Sequence, residues 1–287
     1  MQSVSMNHRS EGNRIVSFFH HFLQIIRDYI FNRLETPRES YRHRIYNDLN
    51  KLYEYIRKGD VVLVEGRSEM STIIKLFSKS HWSHVAFYVG DELIKEGHPF
   101  RDRYLDEFGS DANHLVVEAF TGKGVIASPL RKYRDYNIRV CRPYGILPKD
   151  LKTVIEKVIS NLGKHYDEQN IIDIALMLLP FRLNPFKRHA VNACLGKCND
   201  FQVICSGMIA QSFQHIGYPI VPAFKTSGEE DKDFQKNPFG SELIMRHFSQ
   251  IMPRDFDLSP NFQIIKFNII ETGKFDYKSL KWHQKLE

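Results

Sequence analysis

The feature that most constrains the fold of this chain is a change in hydrophobic period near residue 148. Between residues 61 and 142 the apolar residues form short runs rich in Val and Ile, separated by Gly, Asp, Asn or Pro. Such runs are typical of β-strands. After Pro148 the apolar positions recur every three or four residues, which is typical of amphipathic helices. We therefore expect an α+β fold, in which a mostly antiparallel sheet packs on helices.

The same pattern predicts six strands, with helices before, within and after them. The expected strands are 61–65, 84–89, 115–120, 124–128, 138–142 and 263–270. The expected helices are 14–35, 39–57, 70–78, 148–162, 171–179 and 205–216. A charged segment containing Pro and Gly, 225–240, is expected to form a surface loop.

Charge and cysteine content exclude several classes of protein. The formal charge is +6, but residues 1–58 carry +4 of it and the other 229 residues carry only +2. The main body therefore lacks the broad basic face of a nucleic-acid-binding protein. Four cysteines in 287 residues do not make a disulfide scaffold and fit a reducing compartment. We therefore expect a cytoplasmic protein.

The N-terminal region is expected to be a flexible segment, 1–13, followed by a helical extension, 14–57. No run reaches the roughly 18 apolar residues of a membrane span, and the early apolar runs are too short for a secretory signal. The helix expected at 14–35 has aromatic residues at helical spacing beside a local excess of basic charge. It either packs on the domain or makes a peripheral contact with a membrane surface.

Cys205 is the first candidate for a chemical role. It follows the apolar segment 201–204 and opens an amphipathic helix. The first turn of a helix has unpaired backbone N–H groups and the positive end of the dipole, and both favour a thiolate. The small residues Ser206 and Gly207 would let a substrate approach the sulfur. The alternative is a buried structural cysteine, which is the commonest role of a free cysteine.

His84 and Glu118 are the other two candidates. His84 begins a predicted strand, on the face opposite the apolar row of Val85 and Phe87. A cysteine nucleophile needs a base of this kind near neutral pH. Glu118 lies in an apolar strand, where a buried carboxylate needs a partner. A hydrogen bond from an imidazole would satisfy it and would orient the ring, as the third member of a catalytic triad does.

Several segments, in this order, resemble the circularly permuted papain-fold amidases of the NlpC-like superfamily, the YiiX/YaeF-like cysteine hydrolases. They are GDVVL at 59–63, WSHVA at 82–86, VEA at 117–119 with GV at 124–125, RVCRP at 139–143, GKHYD at 163–167, ICS at 204–206 and PRDFDLSP at 253–260. The resemblance covers about residues 40–270. It implies a permuted papain-like hydrolase domain at 58–270, with a small antiparallel barrel-like sheet packed on helices, and a C-terminal tail at 271–287.

The resemblance also implies roles for the candidate residues. Cys205 matches the nucleophile, His84 the base and Glu118 the polar residue that orients the base. The order of these residues along the chain does not affect the chemistry, because a triad is defined by its geometry. The expected substrate-binding residues are Tyr166, Ser83 and Ser206. No cofactor is expected.

Three classes of function remain open from the sequence. The first is a cysteine amidase or peptidase that acts on peptide-like bonds. The second is a lipid-directed acyl hydrolase or acyltransferase, because relatives of the lecithin:retinol acyltransferase type handle acyl chains. The third is a binding module without catalysis, which the joint presence of Cys205, His84 and Glu118 disfavours.

A zinc site is the alternative use of the cysteines. His189, Cys194, Cys198 and Cys205 lie within 17 residues, but only Cys194 and Cys198 approach the spacing of paired zinc ligands. Using Cys205 as a ligand would also remove the nucleophile. We therefore expect no metal.

Overall fold

A computed structural model describes residues 47–120, 123–164, 204–224 and 243–267. Four of the predicted features lie outside these residues: the segment 1–46, the helix at 171–179, the loop at 225–240 and the tail at 271–287. Tyr166 and the His189, Cys194 and Cys198 group also lie outside them. These predictions therefore stay predictions.

The described residues form an α+β fold, as expected. The helices are α1 (Leu49–Tyr55), α2 (Glu69–Ser78), α3 (Arg101–Phe108), α4 (Pro148–Ile159), α5 (Ile204–His215) and α6 (Pro253–Leu258). The strands are β1 (Val61–Val64), β2 (His84–Gly90), β3 (Leu115–Phe120), β4 (Gly124–Pro129), β5 (Ile138–Pro143), β6 (Pro222–Phe224), β7 (Leu243–Met245) and β8 (Phe262–Ile265). None of the described helices is long and apolar enough to cross a membrane.

The main sheet is antiparallel and packs on helices, as expected, and in the described residues it is open and not closed into a barrel. Its six strands run in the order β4–β3–β2–β1–β5–β8, which makes β4 and β8 the two edges. The outer edge of β4 bonds instead to the end of the α4 region. Val125 N–H donates to the Lys164 carbonyl at 3.0 Å, and Gly163 N–H donates to the Val125 carbonyl at 2.9 Å. This pairing occupies the outward N–H and carbonyl of Val125 at the edge of the sheet.

The two faces of the sheet carry two separate cores because strand side chains alternate. On one face, Val85, Phe87 and Val89 of β2 pack with residues of α4 and α5. On the other face, Ala86 and Tyr88 pack with residues of α1 and of the turn after β4. The alternation predicted for β2 is therefore confirmed, and His84 and Ala86 lie on the α1 side.

Most element positions agree with the predicted ones, and the differences have local causes. β8 is shorter than the strand predicted at 263–270. α3 was not predicted because it is mostly polar, with Tyr104 as its buried residue. α6 has only six residues, too few to show a helical period, although Pro253 at its first position is a typical helix start.

Candidate active site

The site begins with His84, the first residue of β2. Its side chain is 16% exposed, so the imidazole lies at the boundary between the core and solvent. On one side of β2, His84 pairs with Val64 of β1. On the other side, β2 pairs with β3, the strand that carries Glu118. The Phe120 ring lies 5.0 Å from the imidazole, centroid to centroid, and limits its rotation.

Glu118 lies in the middle of β3 with a fully buried side chain. The register of β2 and β3 pairs Phe87 with Val117, so the alternation places Glu118 on the same face as His84. His84 Nε2 lies 2.8 Å from Glu118 Oε2, within hydrogen-bonding distance. The structure therefore brings together two of the three residues that the sequence selected for a triad.

Two further side chains bind the same carboxylate. Lys132 Nζ donates to Glu118 Oε1 and forms an ion pair with it. The Tyr133 hydroxyl donates to Glu118 Oε2. Both residues come from the short turn Leu130–Tyr133, which directly follows β4. Since β4 pairs with β3, this turn returns toward the centre of β3 and closes over the carboxylate.

The environment keeps Glu118 ionised. Burial alone would raise its pKa, but the hydrogen bond from His84 and the charge of Lys132 outweigh burial and lower the pKa to about 2. Burial also lowers the pKa of Lys132, although the charge of Glu118 opposes that change. An ionised carboxylate can only accept hydrogen bonds. His84 therefore donates from Nε2, and a neutral ring has its lone pair on Nδ1.

The low pKa of Glu118 has a consequence for stability. The pKa is about 2 in the folded protein and 4.5 for an unperturbed glutamate, so unfolding takes up a proton between these pH values. The native state is therefore favoured above pH 4.5 and loses this contribution as the pH falls toward 2. We expect urea unfolding to show that the free-energy advantage of wild type over Glu118→Gln shrinks by about 2 kcal/mol between pH 7 and pH 3. A constant difference would contradict the assigned ionisation.

Lys132 and Tyr133 are the functional residues that sequence reasoning missed. The signal for them was indirect: a buried carboxylate needs a cation or several donors. Lys132 and Tyr133 follow the predicted strand at 124–128, which the structure pairs with β3. Lys132 Nζ also lies 4.4 Å from the centroid of the Phe120 ring, a cation–π contact that holds the ammonium on this face.

Cys205 is the second residue of α5, as the sequence predicted for a residue that opens a helix. Its side chain lies outside the part that the structure describes. α5 packs on β2 and β3, the strands that carry His84 and Glu118. Met208 and Phe213 are among the buried residues of α5 that belong to the core on the Val85 face of the sheet.

The described residues expected to bind substrate have structural partners. The Ser83 hydroxyl is buried and accepts a hydrogen bond from Gly66 N–H at 2.9 Å. The Ser206 hydroxyl is buried and donates to the Ile251 carbonyl at 2.7 Å. These bonds position the start of β2 and the first turn of α5. A contact of either serine with substrate stays a prediction.

The described residues contain no group of three or more His, Cys, Asp or Glu side chains arranged to hold a metal ion. Cys141 lies in β5 and is buried. Burial raises the pKa of its thiol, so Cys141 is chemically inert in the folded protein.

Comparison with known proteins finds a family that part of this chain resembles. Residues 55–173 match the family of permuted papain-like amidase enzymes, the YaeF/YiiX, C92 family. The crystal structure of metalloprotein yiiX from Escherichia coli O157:H7 is similar at 16% identity and a TM-score of 0.42, over 74% of this chain and 98% of that one. No curated protein matches the chain. Residues 55–173, which contain the His84–Glu118 pair, are therefore similar to the permuted papain-like amidase enzymes of the YaeF/YiiX, C92 family.

Proposed function

We propose that this protein is a cysteine amidase in which Cys205 is the nucleophile, His84 the base and Glu118 the residue that orients the base. The observation that carries the proposal is the hydrogen bond between the partly exposed His84 and the fully buried Glu118. A buried carboxylate that fixes an imidazole at the protein surface is the base half of a triad.

The direction of α5 supports Cys205 as the nucleophile. Phe213, near the end of α5, packs on Phe262 at 5.3 Å between ring centroids. Phe262 pairs with Pro143, the last residue of β5, and β5 ends at the same edge of the sheet where β2 ends. The C-terminal end of α5 therefore lies at that edge. Its first turn lies about 12 Å away along the helix, and we infer that it lies toward the opposite edge, where β2 begins with His84.

The helix that carries Cys205 and the imidazole of His84 lie on different faces of the sheet, which limits how the two residues can meet. α5 packs on the Val85 face, whereas the imidazole of His84 lies on the other face. The proposal requires the sulfur on the first turn of α5 to meet the imidazole around the start of β2, where His84 is the first strand residue. With Nε2 bonded to Glu118, Nδ1 is the ring nitrogen that exchanges a proton with the sulfur.

The proposed reaction is acyl transfer through a thioester. The thiolate of Cys205 attacks the substrate carbonyl, and the backbone N–H of Cys205 donates to the developing oxyanion. His84, protonated at Nδ1, gives that proton to the departing amine. It then removes a proton from water, which attacks the thioester and releases the acid. Glu118 stays ionised throughout and stabilises the imidazolium that is present before the amine departs and that forms again when water is deprotonated.

A panel of matched acyl probes tests the proposed reaction class. Amide, ester and thioester forms of one acyl group are incubated with the protein, and peptide mass spectrometry locates the acyl adduct. We expect acylation of Cys205 and turnover of the amide. Turnover of ester and thioester without amide would assign the lipid-directed alternative instead. Absence of an adduct from all three would contradict an acyl-transfer function.

The thiol of Cys205 should be the most reactive in the chain. At pH 7 we expect iodoacetamide to alkylate Cys205 at least about tenfold faster than Cys194 or Cys198, because the helix N-terminus and His84 favour the thiolate. Cys141 is the internal negative control, since it is buried and burial raises its pKa. Mass spectrometry of digested samples over time gives all four rates. Equal rates at Cys205, Cys194 and Cys198 would argue against an activated thiol.

A further inference from the structure

The two oxygens of the Glu118 carboxylate have different partners. Oε2 faces the imidazole of His84, whose Nε2 lies 2.8 Å away. Oε1 accepts a hydrogen bond from the ammonium of Lys132 and forms an ion pair with it. The side chain of Glu118 is fully buried, whereas that of Lys132 is 30% exposed. The carboxylate therefore bridges the imidazole on one side to a cation on the other.

The ammonium of Lys132 is held beside the carboxylate by three further contacts. Its Nζ donates to the Ser128 hydroxyl at 3.2 Å. It also lies 4.4 Å from the centroid of the Phe120 ring and 4.8 Å from that of Tyr133. The Phe120 ring is the one that lies 5.0 Å from the imidazole of His84. The ammonium and the imidazole therefore pack against the same aromatic ring.

The elements around the imidazole of His84 present groups of different charge. β3 presents the carboxylate of Glu118. The turn after β4 presents Tyr133, whose ring centroid lies 6.3 Å from that of the imidazole, and places Lys132 behind the carboxylate. β1 presents the apolar side chain of Val64, which pairs with His84. In the proposed reaction, α5 adds the thiolate of the nucleophile.

Glu118 and Lys132 keep each other ionised. Burial raises the pKa of Glu118, but the hydrogen bond from His84 and the charge of Lys132 lower it to about 2. Burial lowers the pKa of Lys132, the charge of Glu118 raises it, and the charge of Lys123 lowers it further. At neutral pH the formal charge of the Glu118–Lys132 pair is therefore zero. An imidazolium at His84 is then not the only counter-charge of the carboxylate.

We propose that Lys132 is a positioning residue that acts through Glu118 and limits the basicity of His84. The inference rests on the proposed function, because it concerns the acid strength that His84 needs there. A carboxylate without another counter-charge raises the pKa of a neighbouring histidine by about 1 to 3. The ammonium opposes the field of the carboxylate at the imidazole, so this stabilisation of the imidazolium is smaller. The imidazolium is then a stronger acid and gives its Nδ1 proton more readily to the departing amine.

The test measures the pKa of His84 by NMR in the full-length Cys205→Ala protein, in which no thiolate titrates with the ring. The chain has 13 histidines, and the resonances that His84→Ala removes are those of His84. Three substitutions separate charge from hydrogen bonding at residue 132. Lys132→Met removes both, Lys132→Gln keeps a donor without the charge, and Lys132→Arg keeps both.

We expect Lys132→Met and Lys132→Gln to raise the pKa of His84 by at least about one pH unit. Lys132→Arg should leave it close to the wild-type value, because the charge remains. Lys152→Gln removes an exposed lysine from α4 and should also leave it unchanged. Lys132→Met leaves a buried carboxylate without a cation, which is strongly destabilising. Lys132→Gln decides the matter where Lys132→Met does not fold, since its amide can still donate to Oε1.

A role of Lys132 in packing or hydrogen bonding alone predicts a different pattern, in which Lys132→Gln and Lys132→Arg both keep the wild-type pKa of His84. A rise in Lys132→Gln smaller than about one pH unit, or a fall, overturns the proposal. The measurement is made without the Cys205 sulfur, so its result does not depend on the nucleophile. Amide turnover by Cys205→Ala would refute the proposed nucleophile and would leave the predicted change in the pKa of His84 in place.

Discussion

Cys205→Ala should lower the rate of amide turnover by at least about 10³-fold while the protein remains folded. The substitution removes the sulfur, so no thioester forms, and the remaining groups only bind and polarise the substrate. Alanine is tolerated in the first turn of a helix and changes little of the backbone. Steady-state kinetics on the amide probe, with circular dichroism and the melting temperature beside it, measure both parts of this expectation.

The matched control for this variant is Cys194→Ala, which removes a sulfur that has no role in the proposed reaction. It should retain the wild-type rate. If Cys205→Ala retained more than a tenth of the wild-type rate, the nucleophile would be a different group. The match of residues 55–173 to the amidase family would stand in that case, because Cys205 lies outside the matched segment.

Glu118→Gln should be the next most damaging change, with a fall in kcat of about 10²- to 10⁴-fold. The amide of glutamine has no charge to stabilise an imidazolium at His84, and it leaves the ammonium of Lys132 without its ion-pair partner. Its NH₂ group can also donate to His84 Nε2, which would place the ring proton on the wrong nitrogen. The loss should fall on kcat rather than KM, since Glu118 is fully buried and does not contact substrate.

Tyr133→Phe is the matched control for Glu118→Gln. It keeps the aromatic ring and removes one of the three donors to the carboxylate, while the bonds from His84 and Lys132 remain. We expect a loss of less than about tenfold in kcat, which corresponds to one hydrogen bond. A Glu118→Gln enzyme with a kcat close to that of Tyr133→Phe would mean that Glu118 supports the fold and not the base.

The strand pattern was the part of the fold that the sequence predicted best. Alternation along β2 separated Val85 and Phe87 from His84, and the structure places the two sets in different faces of the sheet. The alternation of side chains along a strand depends only on local geometry, so it can be predicted without knowledge of the tertiary structure. The same logic selected Glu118, because a carboxylate inside an apolar strand needs a partner on its own face.

The closure of the sheet and the residues around the carboxylate could not be predicted in the same way. The edge of β4 bonds to Gly163 and Lys164, a contact between segments that no local pattern connects. Lys132 reaches Glu118 because a short turn reverses the chain after β4. A contact of this kind depends on the conformation of the turn and on the register between β3 and β4. The hydrophobic period of the sequence predicts neither of them.

The proposed mechanism requires the Cys205 sulfur to contact the His84 imidazole, and titration of the thiolate measures this interaction directly. The absorbance of thiolate near 240 nm is recorded against pH for wild type and for His84→Ala, each minus the corresponding Cys205→Ala protein. We predict that in wild type the thiolate persists at least one pH unit below the ordinary thiol value of about 8.5, and that His84→Ala moves the transition upward. Coincident titration curves for the two proteins would show that the sulfur and the imidazole do not interact, and would contradict the proposed triad.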